Sequence, residues 1–371
     1  MSTPAPAAAP AVETQNVWLS ADRIFLILLA VFFPAAVASH FFFPGTITFV
    51  LCALAIIPLA RLMGEATEVI AHKVGSGLGG LMNASFGNAA EMIIAIAALR
   101  EGQTEVVKAS ITGAILGNIL LVLGMAIIAG GLKREKQTFN TTAALSGAAM
   151  MFLAVTAMSI PDLFHVSRGE AGVPMLLPMS IGISIILLII YGLSLLFALK
   201  THAHIYAGEA EGDEEEMPHW STKKAAIVLA LATVGVVVIA EFLVHSLEPA
   251  IKSFGFTKTF VGVIIIAIVG NAAEHSTAVI MAMKNKMDLA FNIAFESSKQ
   301  IALFVAPVLV LISIPIGHPL TLEFSHMEVV GMGIGVGAAT LIGLDGESNW
   351  LEGVMLIGVY AILGVAFFFI P

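Results

Sequence analysis

Two glutamates occupy the same five-residue frame at distant points of the chain. The pentapeptide GNAAE occurs at 87–91 and again at 270–274, and each copy lies inside a long apolar stretch. An acid at the centre of a bilayer costs roughly 2.5–3.5 kcal/mol on insertion scales. A structural hydrogen bond explains a single buried glutamate, but it gives no reason for the same frame to occur twice. The repetition therefore favours a functional site.

The two motifs supply oxygen ligands at helical spacing. Residues three apart share a helix face, so Asn88 is expected beside Glu91 and Asn271 beside Glu274. Carboxylate and amide oxygens are ligands that Ca²⁺ prefers. Two facing carboxylates repel each other when both are ionised, and either a divalent cation or protons relieve that repulsion. The sequence thus predicts a site for which a cation and protons compete, as in a cation/proton antiporter.

The composition indicates a membrane protein. Hydrophobic residues make up 58% of the 371 residues and charged residues only 12%, whereas soluble domains are about a quarter charged. We expect an all-α polytopic membrane protein with about 11 transmembrane helices, since many apolar stretches reach the length needed to cross a bilayer. The predicted spans are 23–43, 46–71, 78–100, 105–131, 141–161, 173–200, 224–250, 257–283, 288–315, 327–344 and 350–370.

An internal repeat organises these spans. An offset of 183 residues superposes the first GNAAE on the second, and Glu65 on Glu248. Each copy holds about five spans, and an odd number requires the copies to enter the membrane from opposite sides. We expect one extra N-terminal helix followed by two inverted-topology repeats of five helices. The predicted divisions are a disordered cytoplasmic tail (1–22), the first transmembrane helix (23–43), the first repeat (46–200), an acidic cytoplasmic linker (201–222) and the second repeat (223–371).

The distribution of lysine and arginine over the loops predicts the orientation. More of these residues lie on the side that carries the N-terminus and the acidic linker, so we expect both in the cytoplasm and the C-terminus outside. The acid run GDEEE in the linker could bind regulatory Ca²⁺, but it lacks the spacing of an EF-hand loop, which favours a solvated charged loop. The compact N-terminal tail favours a prokaryotic inner membrane.

The sequence around both motifs resembles the signature repeats of the calcium/proton exchanger family, within the calcium/cation antiporter superfamily. The stretch GNAAEMIIAIAALREGQTEVVKASITGAILGNILLVLG is similar to the first repeat, and GNAAEHSTAVIMAMKNKMDLAFNIAFESSKQIALFVAP is similar to the second. The resemblance covers most of the chain. It implies a secondary antiporter that exports Ca²⁺ from the cytosol in exchange for H⁺ by alternating access, without a cofactor.

The resemblance also implies roles for individual side chains. Glu91 and Glu274 are the expected central Ca²⁺ ligands and proton carriers, and oxygens of Asn88 and Asn271 are expected to support them. The expected pathway-lining residues are Ser110, Asn118, Ser297, Ser298 and Gln300. The second and seventh segments are expected to slide between inward- and outward-open states. Their acids are then either entrance acids or groups solvated at the membrane boundary: Glu65, Glu68, Glu241 and Glu248.

One position departs from the family pattern. Where the family has Gly-Ser-Ser, this chain has Glu296 before Ser297 and Ser298, and Lys299 follows. Glu296 is therefore either an extra cation ligand in the pathway or the partner of Lys299, three residues away on a helix. We favour the ion pair.

Other functions fit the sequence less well. The nearest alternative is a sodium-coupled exchanger, or an exchanger of another divalent cation, although both motifs here read GNAAE rather than the varied acid motifs of sodium-coupled relatives. An intramembrane enzyme is the alternative of a different class, but the chain lacks H-E-x-x-H, paired Gly-x-Gly-Asp and Asp-rich diphosphate motifs. The expected partners are the lipid bilayer, Ca²⁺ and H⁺. No nucleic acid is expected, and the sequence leaves a homo-oligomer open.

Overall fold

The computed structural model describes residues 15–74, 79, 82–83, 86–202 and 220–369. Much of the predicted tail (1–22), most of the predicted linker (201–222) and the whole acid run lie outside these ranges. Helix α1 (Gln15–Phe42) begins inside the range predicted for the tail. The physical reason is that no proline or glycine interrupts the chain between Pro10 and Pro34.

The described chain is almost entirely helical. After α1 come α2 (Thr46–Val74), α3 (Ala89–Arg100), α4 (Thr104–Gly131), α5 (Thr141–Arg168), α6 (Val173–Leu196), α7 (Thr222–His245), α8 (Leu247–Phe254), α9 (Lys258–Gly270), α10 (Ala272–Met283), α11 (Met287–Ile316), α12 (His326–Gly343) and α13 (Trp350–Phe369). Short π-helical turns lie within α4, α9 and α11. Helices α4, α11, α12 and α13 begin and end within one residue of their predicted spans.

Among the described residues, eight helices are long and apolar enough to cross a membrane, or nine if α8 and α9, which meet at a 113° bend, form one span. A polytopic helical protein is therefore confirmed, but the predicted count of about 11 spans is not reached by this length criterion. Two features lower the count. Helices α3 and α10 have only 12 residues each, and α5 and α6 form one uninterrupted helical run, Thr141–Thr201.

The run from α5 into α6 reverses direction. Helix α5 begins beside the start of α11, where Asn140 contacts Asp288. Helix α6 begins beside the far end of α11, where Ser180 Oγ accepts a hydrogen bond from the backbone N–H of Leu322 at 2.9 Å, and it then returns to stack on the middle of α11. The two helices are therefore antiparallel. The chain turns at Gly169, whose φ of +57° is readily adopted only by glycine.

The centre of the protein is formed around α4, which packs against α9, α10 and α13. Helices α4 and α9 approach closely at two glycines. A Cβ atom at Gly113 would lie 2.2 Å from the carbonyl oxygen of Val263, and one at Gly262 would lie 2.4 Å from Cβ of Ala109. Small residues allow such approach between membrane helices. Helix α1 and the α5–α6 hairpin lie at the periphery, where many of their apolar side chains are exposed.

A short antiparallel sheet joins two loops and is the one departure from an all-α fold in the described part of the chain. Strand β1 (Gln137–Thr138) follows α4 and pairs with β2 (Glu347–Ser348), which lies between α12 and α13. Beside it, Lys136 Nζ donates a hydrogen bond to Glu347 Oε1 at 2.6 Å, and the carboxylate raises the pKa of the lysine. Both side chains are exposed, so this ion pair contributes little to stability.

Candidate cation site

Both GNAAE motifs contain a turn immediately before a short helix. Gly87 and Asn88 form a turn before α3, and Asn271 forms the turn between α9 and α10. The two asparagines have similar backbone angles, φ −105° and ψ 29° for Asn88 and φ −93° and ψ 14° for Asn271. The prediction of one continuous helix through each motif is therefore wrong. Glycine is a poor helix former and asparagine favours the position before a helix, which accounts for the break.

The breaks position each glutamate in the first turn of a short helix. Glu91 lies in the first turn of α3 and Glu274 in the first turn of α10. The partial positive charge at a helix N-terminus stabilises a nearby anion by about 0.3–1 kcal/mol. Burial of an unpaired carboxylate costs several kcal/mol. The helix ends therefore favour the ionised acids, but too weakly to replace a bound cation or proton.

The tertiary structure brings the two motifs together. A Cβ atom at Gly270 would lie 3.2 Å from Cγ and 3.3 Å from Oε1 of Glu91. The carboxylates of Glu91 and Glu274 are close enough to repel each other electrostatically. Glu68 in α2 adds a second repulsive charge at Glu274. Negative charge therefore concentrates where the two breaks meet.

The carboxylate oxygens at this meeting point lack protein partners. In the part of the chain that the structure describes, Oε1 and Oε2 of Glu91 and Oε2 of Glu274 are buried without a hydrogen-bond donor. Buried polar atoms in folded proteins are nearly always hydrogen-bonded. Three buried acceptor oxygens without donors suit either a hard cation such as Ca²⁺ or protons on the carboxyl groups.

A chain of hydrogen bonds links the two motifs. Asn118 Nδ2 donates to Asn271 Oδ1 at 3.1 Å and to Ser297 Oγ at 2.8 Å. Ser297 Oγ donates to Asn88 Oδ1 at 3.2 Å, and Asn88 Nδ2 donates to Gln300 Oε1 at 2.6 Å. The chain thus joins both motif asparagines through α4 and α11 and fixes the orientation of their amides. An amide oxygen has two lone pairs, so each Oδ1 retains one for a further interaction.

A small cavity lies beside Glu91. Its volume of about 20 Å³ is sufficient for one water molecule. Its polar lining residues are Glu91, Ser110 and Asn271, and the rest of its wall is apolar. Ser110 Oγ donates to the carbonyl oxygen of Val107 in its own helix at 2.8 Å, so its lone pairs remain available to the cavity.

Two of the predicted pathway residues lie away from this cluster. Ser298 Oγ donates to the carbonyl oxygen of Ala294 in its own helix at 2.9 Å. Glu296 Oε1 contacts Lys299 Nζ at 2.5 Å, with the lysine side chain buried and the glutamate side chain 39% exposed. Among the described residues no three His, Cys, Asp or Glu side chains converge in a geometry that could hold a metal ion. Glu296 thus lies in the ion pair with Lys299 that the sequence analysis favoured.

Of the four predicted entrance acids, Glu65 and Glu68 lie in the C-terminal half of α2, Glu241 lies near the C-terminus of α7, and Glu248 lies on α8. Glu68 is exposed on α2. Glu65 pairs with Arg61 at 2.6 Å, Glu241 with Arg100 at 2.8 Å, and Glu248 with Lys252 at 3.7 Å and with Lys258 at 3.6 Å. The carboxylates of Glu65, Glu241 and Glu248 are therefore each neutralised by a neighbouring cation in this conformation.

Sequence patterns do not identify Arg100, Glu101 and His245 as interacting residues. Arg100 ends α3, Glu101 follows it, and both contact side chains of α7. Charged residues are common at the ends of membrane helices, so their type and position carry no signal of a specific partner. The tertiary structure alone identifies these contacts.

The arrangement of paired acids at two helix breaks can now be compared with known proteins. The family model described as sodium/calcium exchanger protein matches residues 44–200 and again 224–369. The chain belongs to this family. The expected membership of the calcium/cation antiporter superfamily is thereby confirmed, as is the expectation of a transporter rather than an enzyme.

Individual relatives match over nearly the whole chain. A Ca²⁺/H⁺ antiporter of Synechocystis sp. is 46% identical over 366 residues, which cover 94% of this chain and 98% of the relative. The Ca²⁺/H⁺ antiporter ChaA of Bacillus subtilis is 46% identical over 351 residues, which cover 94% of this chain and 99% of the relative. Among solved structures, native YfkE superposes with a TM-score of 0.82 at 43% identity, covering 94% of this chain and 100% of that chain.

Proposed function

We propose that this protein exchanges Ca²⁺ for H⁺ across a membrane at a site formed by Glu91 and Glu274. The Ca²⁺/H⁺ antiporters that are 46% identical over most of the chain support this proposal. The observation that carries it is the pair of neighbouring carboxylates of Glu91 and Glu274, three of whose four oxygens are buried without a donor among the described residues. Such a pair is stable when it holds a cation or protons and unfavourable when it is empty and ionised.

Competition for these oxygens provides the coupling. Two carboxylates carry the charge that one Ca²⁺ neutralises, and protonation of the same groups removes the charge that binds the cation. Asn88 and Asn271 contribute amide oxygens whose direction is fixed by Asn118 and Ser297. Ca²⁺ binding therefore releases protons from the site, and proton binding releases Ca²⁺. This exclusion of one substrate by the other is what an antiporter requires.

Alternating access requires that the site open to one face at a time. We propose that α2 borders the route from the site to one face of the membrane and that α7 borders the route to the other. Glu68, exposed on α2, acts electrostatically on Glu274, whereas Glu241 on α7 pairs with Arg100 at the end of α3 farthest from Glu91. On this proposal, Glu65 and Glu68 attract cations at one face, and Glu241 and Glu248 do so at the other.

The proposed topology has 11 spans, namely the helix 23–43 and inverted repeats at 46–200 and 223–371, with the acidic linker (201–222) between them. Two separate matches to one family model and two helix breaks of similar geometry support the repeat. We propose a cytoplasmic N-terminus, an external C-terminus and a prokaryotic inner membrane. Fusing a reporter that is active only outside the cytoplasm to the C-terminus tests this orientation, because an odd number of spans makes it active there.

Transport by the purified protein in liposomes tests the function. A Ca²⁺ gradient should drive H⁺ in the opposite direction in Na⁺-free buffer, as detected by a pH-sensitive dye. Glu91→Gln and Glu274→Gln should each abolish this signal, whereas Glu170→Gln, which changes an exposed loop acid, should leave it unchanged. Ca²⁺ flux that requires Na⁺ and moves no protons would instead establish a sodium-coupled exchanger. Replacing Ca²⁺ with other divalent cations measures selectivity.

A further inference from the structure

The end of α3 farthest from Glu91 is tied to α7 by an ion pair and by a contact between a carboxylate and a histidine. Arg100 Nη1 contacts Glu241 Oε1 at 2.8 Å, and Glu101 Oε1 contacts His245 Nε2 at 3.3 Å. Arg100 and Glu101 are consecutive, and Glu241 and His245 lie one turn apart on the same face of α7. The two pairs are therefore neighbours, and all four side chains are about half-exposed.

The region between these pairs and Glu91 is closely packed. Ala98 and Leu99 of α3 and Leu243 and Val244 of α7 are all buried. At 1.5 Å per residue, Arg100 lies about 14 Å along the helix from Glu91. A cation that approaches Glu91 from the face of Arg100 therefore meets packed apolar side chains. Buried side chains thus fill the contact between α3 and α7 at the level of the two pairs.

We infer that the pairs Arg100–Glu241 and Glu101–His245 form an ionic clasp that holds α7 against α3 while this face is closed. This inference rests on the proposed function, because only a transporter with alternating access must open this face. Most contacts of α7 with its neighbours are apolar and therefore non-directional. The two polar contacts are directional and must break when the helices separate.

The clasp also controls the charge of Glu241. While it pairs with Arg100, its carboxylate is neutralised and attracts external cations weakly. Opening separates the pair and exposes a negative charge at the mouth of the route to Glu91. Glu241 thus holds the face closed in one state and attracts the cation in the other.

Exposed ion pairs are individually weak, but a conformational equilibrium responds to small differences. A fivefold change in the ratio of two states corresponds to about 1 kcal/mol. Loss of the clasp should therefore change accessibility severalfold without unfolding the protein.

Cysteine accessibility tests the clasp without relying on transport. The single cysteine, Cys52, is first replaced by alanine, and Val244→Cys then introduces a buried thiol on α7 next to the clasp. The full chain is placed in lipid nanodiscs, and its labelling by a charged maleimide is followed over time. Arg100→Gln should raise the labelling rate about fivefold, since a fivefold shift corresponds to about 1 kcal/mol. The charge swap Arg100→Glu with Glu241→Arg should return the rate to that of the parent.

A matched control is Lys136→Gln, which breaks an exposed ion pair with Glu347 elsewhere in the fold and should leave the rate unchanged. Ala98→Cys provides a second buried position, on α3, if the first impairs folding. Unchanged labelling in Arg100→Gln, or failure of the charge swap to reverse an increase, would overturn the clasp. Absence of Ca²⁺/H⁺ exchange by the unmodified protein would instead overturn the proposed function, so the two failures are distinguishable.

Discussion

The carboxylate of Glu91 in the first motif packs against the backbone of Gly270, the first residue of the second motif. A Cβ atom at position 270 would lie 3.3 Å from Glu91 Oε1, closer than side-chain contacts normally are. The glycine of one motif thus makes room for the acid of the other. This relationship links two residues that are distant in the chain and explains why a glycine begins the second motif.

Substitution of this glycine should disturb the site without altering its charge. Gly270→Ala pushes the Glu91 carboxylate away by a few tenths of an ångström, and we expect roughly tenfold weaker Ca²⁺ binding, the loss of about one good ligand interaction. Calorimetric titration of the purified protein measures this change. The control is Gly333→Ala in α12, where an added Cβ meets nothing within 4 Å and binding should be unchanged. Equal affinity in the Gly270 variant and the parent would contradict the assignment of Glu91 as a ligand.

Substitution of the adjacent serines Ser297 and Ser298 in α11 should have unequal effects on stability and on Ca²⁺ binding. Ser297→Ala removes an acceptor for Asn118 and a donor to Asn88, so it should lower stability by about 1–3 kcal/mol and weaken Ca²⁺ binding. Ser298→Ala removes mainly a bond to its own helix and should have a smaller effect on both. Thermal unfolding and Ca²⁺ titration of both variants test the difference. Equal effects would show that the hydrogen-bond chain between the motifs has no special role.

Removal of the Glu296 charge should affect stability rather than cation binding. Glu296→Gln leaves the buried ammonium of Lys299 without its counter-charge, which is destabilising. In the double variant Glu296→Gln with Lys299→Met, no unpaired charge remains, and we expect the unfolding temperature to recover. Both variants should bind Ca²⁺ with the parental stoichiometry. Loss of Ca²⁺ binding in a stable double variant would show that Glu296 is a ligand after all.

The affinity for Ca²⁺ should fall as the pH falls. Protons and Ca²⁺ compete for the same carboxylate oxygens, so protonation at low pH removes the charge that binds the cation. Affinity should therefore rise with pH until both acids are ionised and then level off. Calorimetry in buffers of different ionisation enthalpy counts the protons released per Ca²⁺, and Glu274→Gln should reduce that number. A pH-independent affinity with no proton release would contradict a shared site.

The sequence by itself determined the class of the protein and pointed to the residues of the proposed site. Long apolar stretches identify membrane helices because bilayer thickness fixes the length that each must have. Helices α4, α11, α12 and α13 were predicted to within one residue on this basis. The repeated GNAAE identified Glu91 and Glu274 because an acid is costly in such a setting, so a duplicated acid indicates function.

Only the tertiary structure decided how these residues meet. The long apolar pattern favoured a continuous helix through each motif, but the chain breaks at Asn88 and Asn271, as the glycine and asparagine of each motif allow. The contact of Glu91 with Gly270 and the hydrogen bonds of Asn118 to Asn271 and of Ser297 to Asn88 each join residues more than 100 positions apart. Sequence periodicity describes only neighbours on one helix. Which side chains face each other across helices depends on how those helices pack, and that packing determines which oxygens can share one cation.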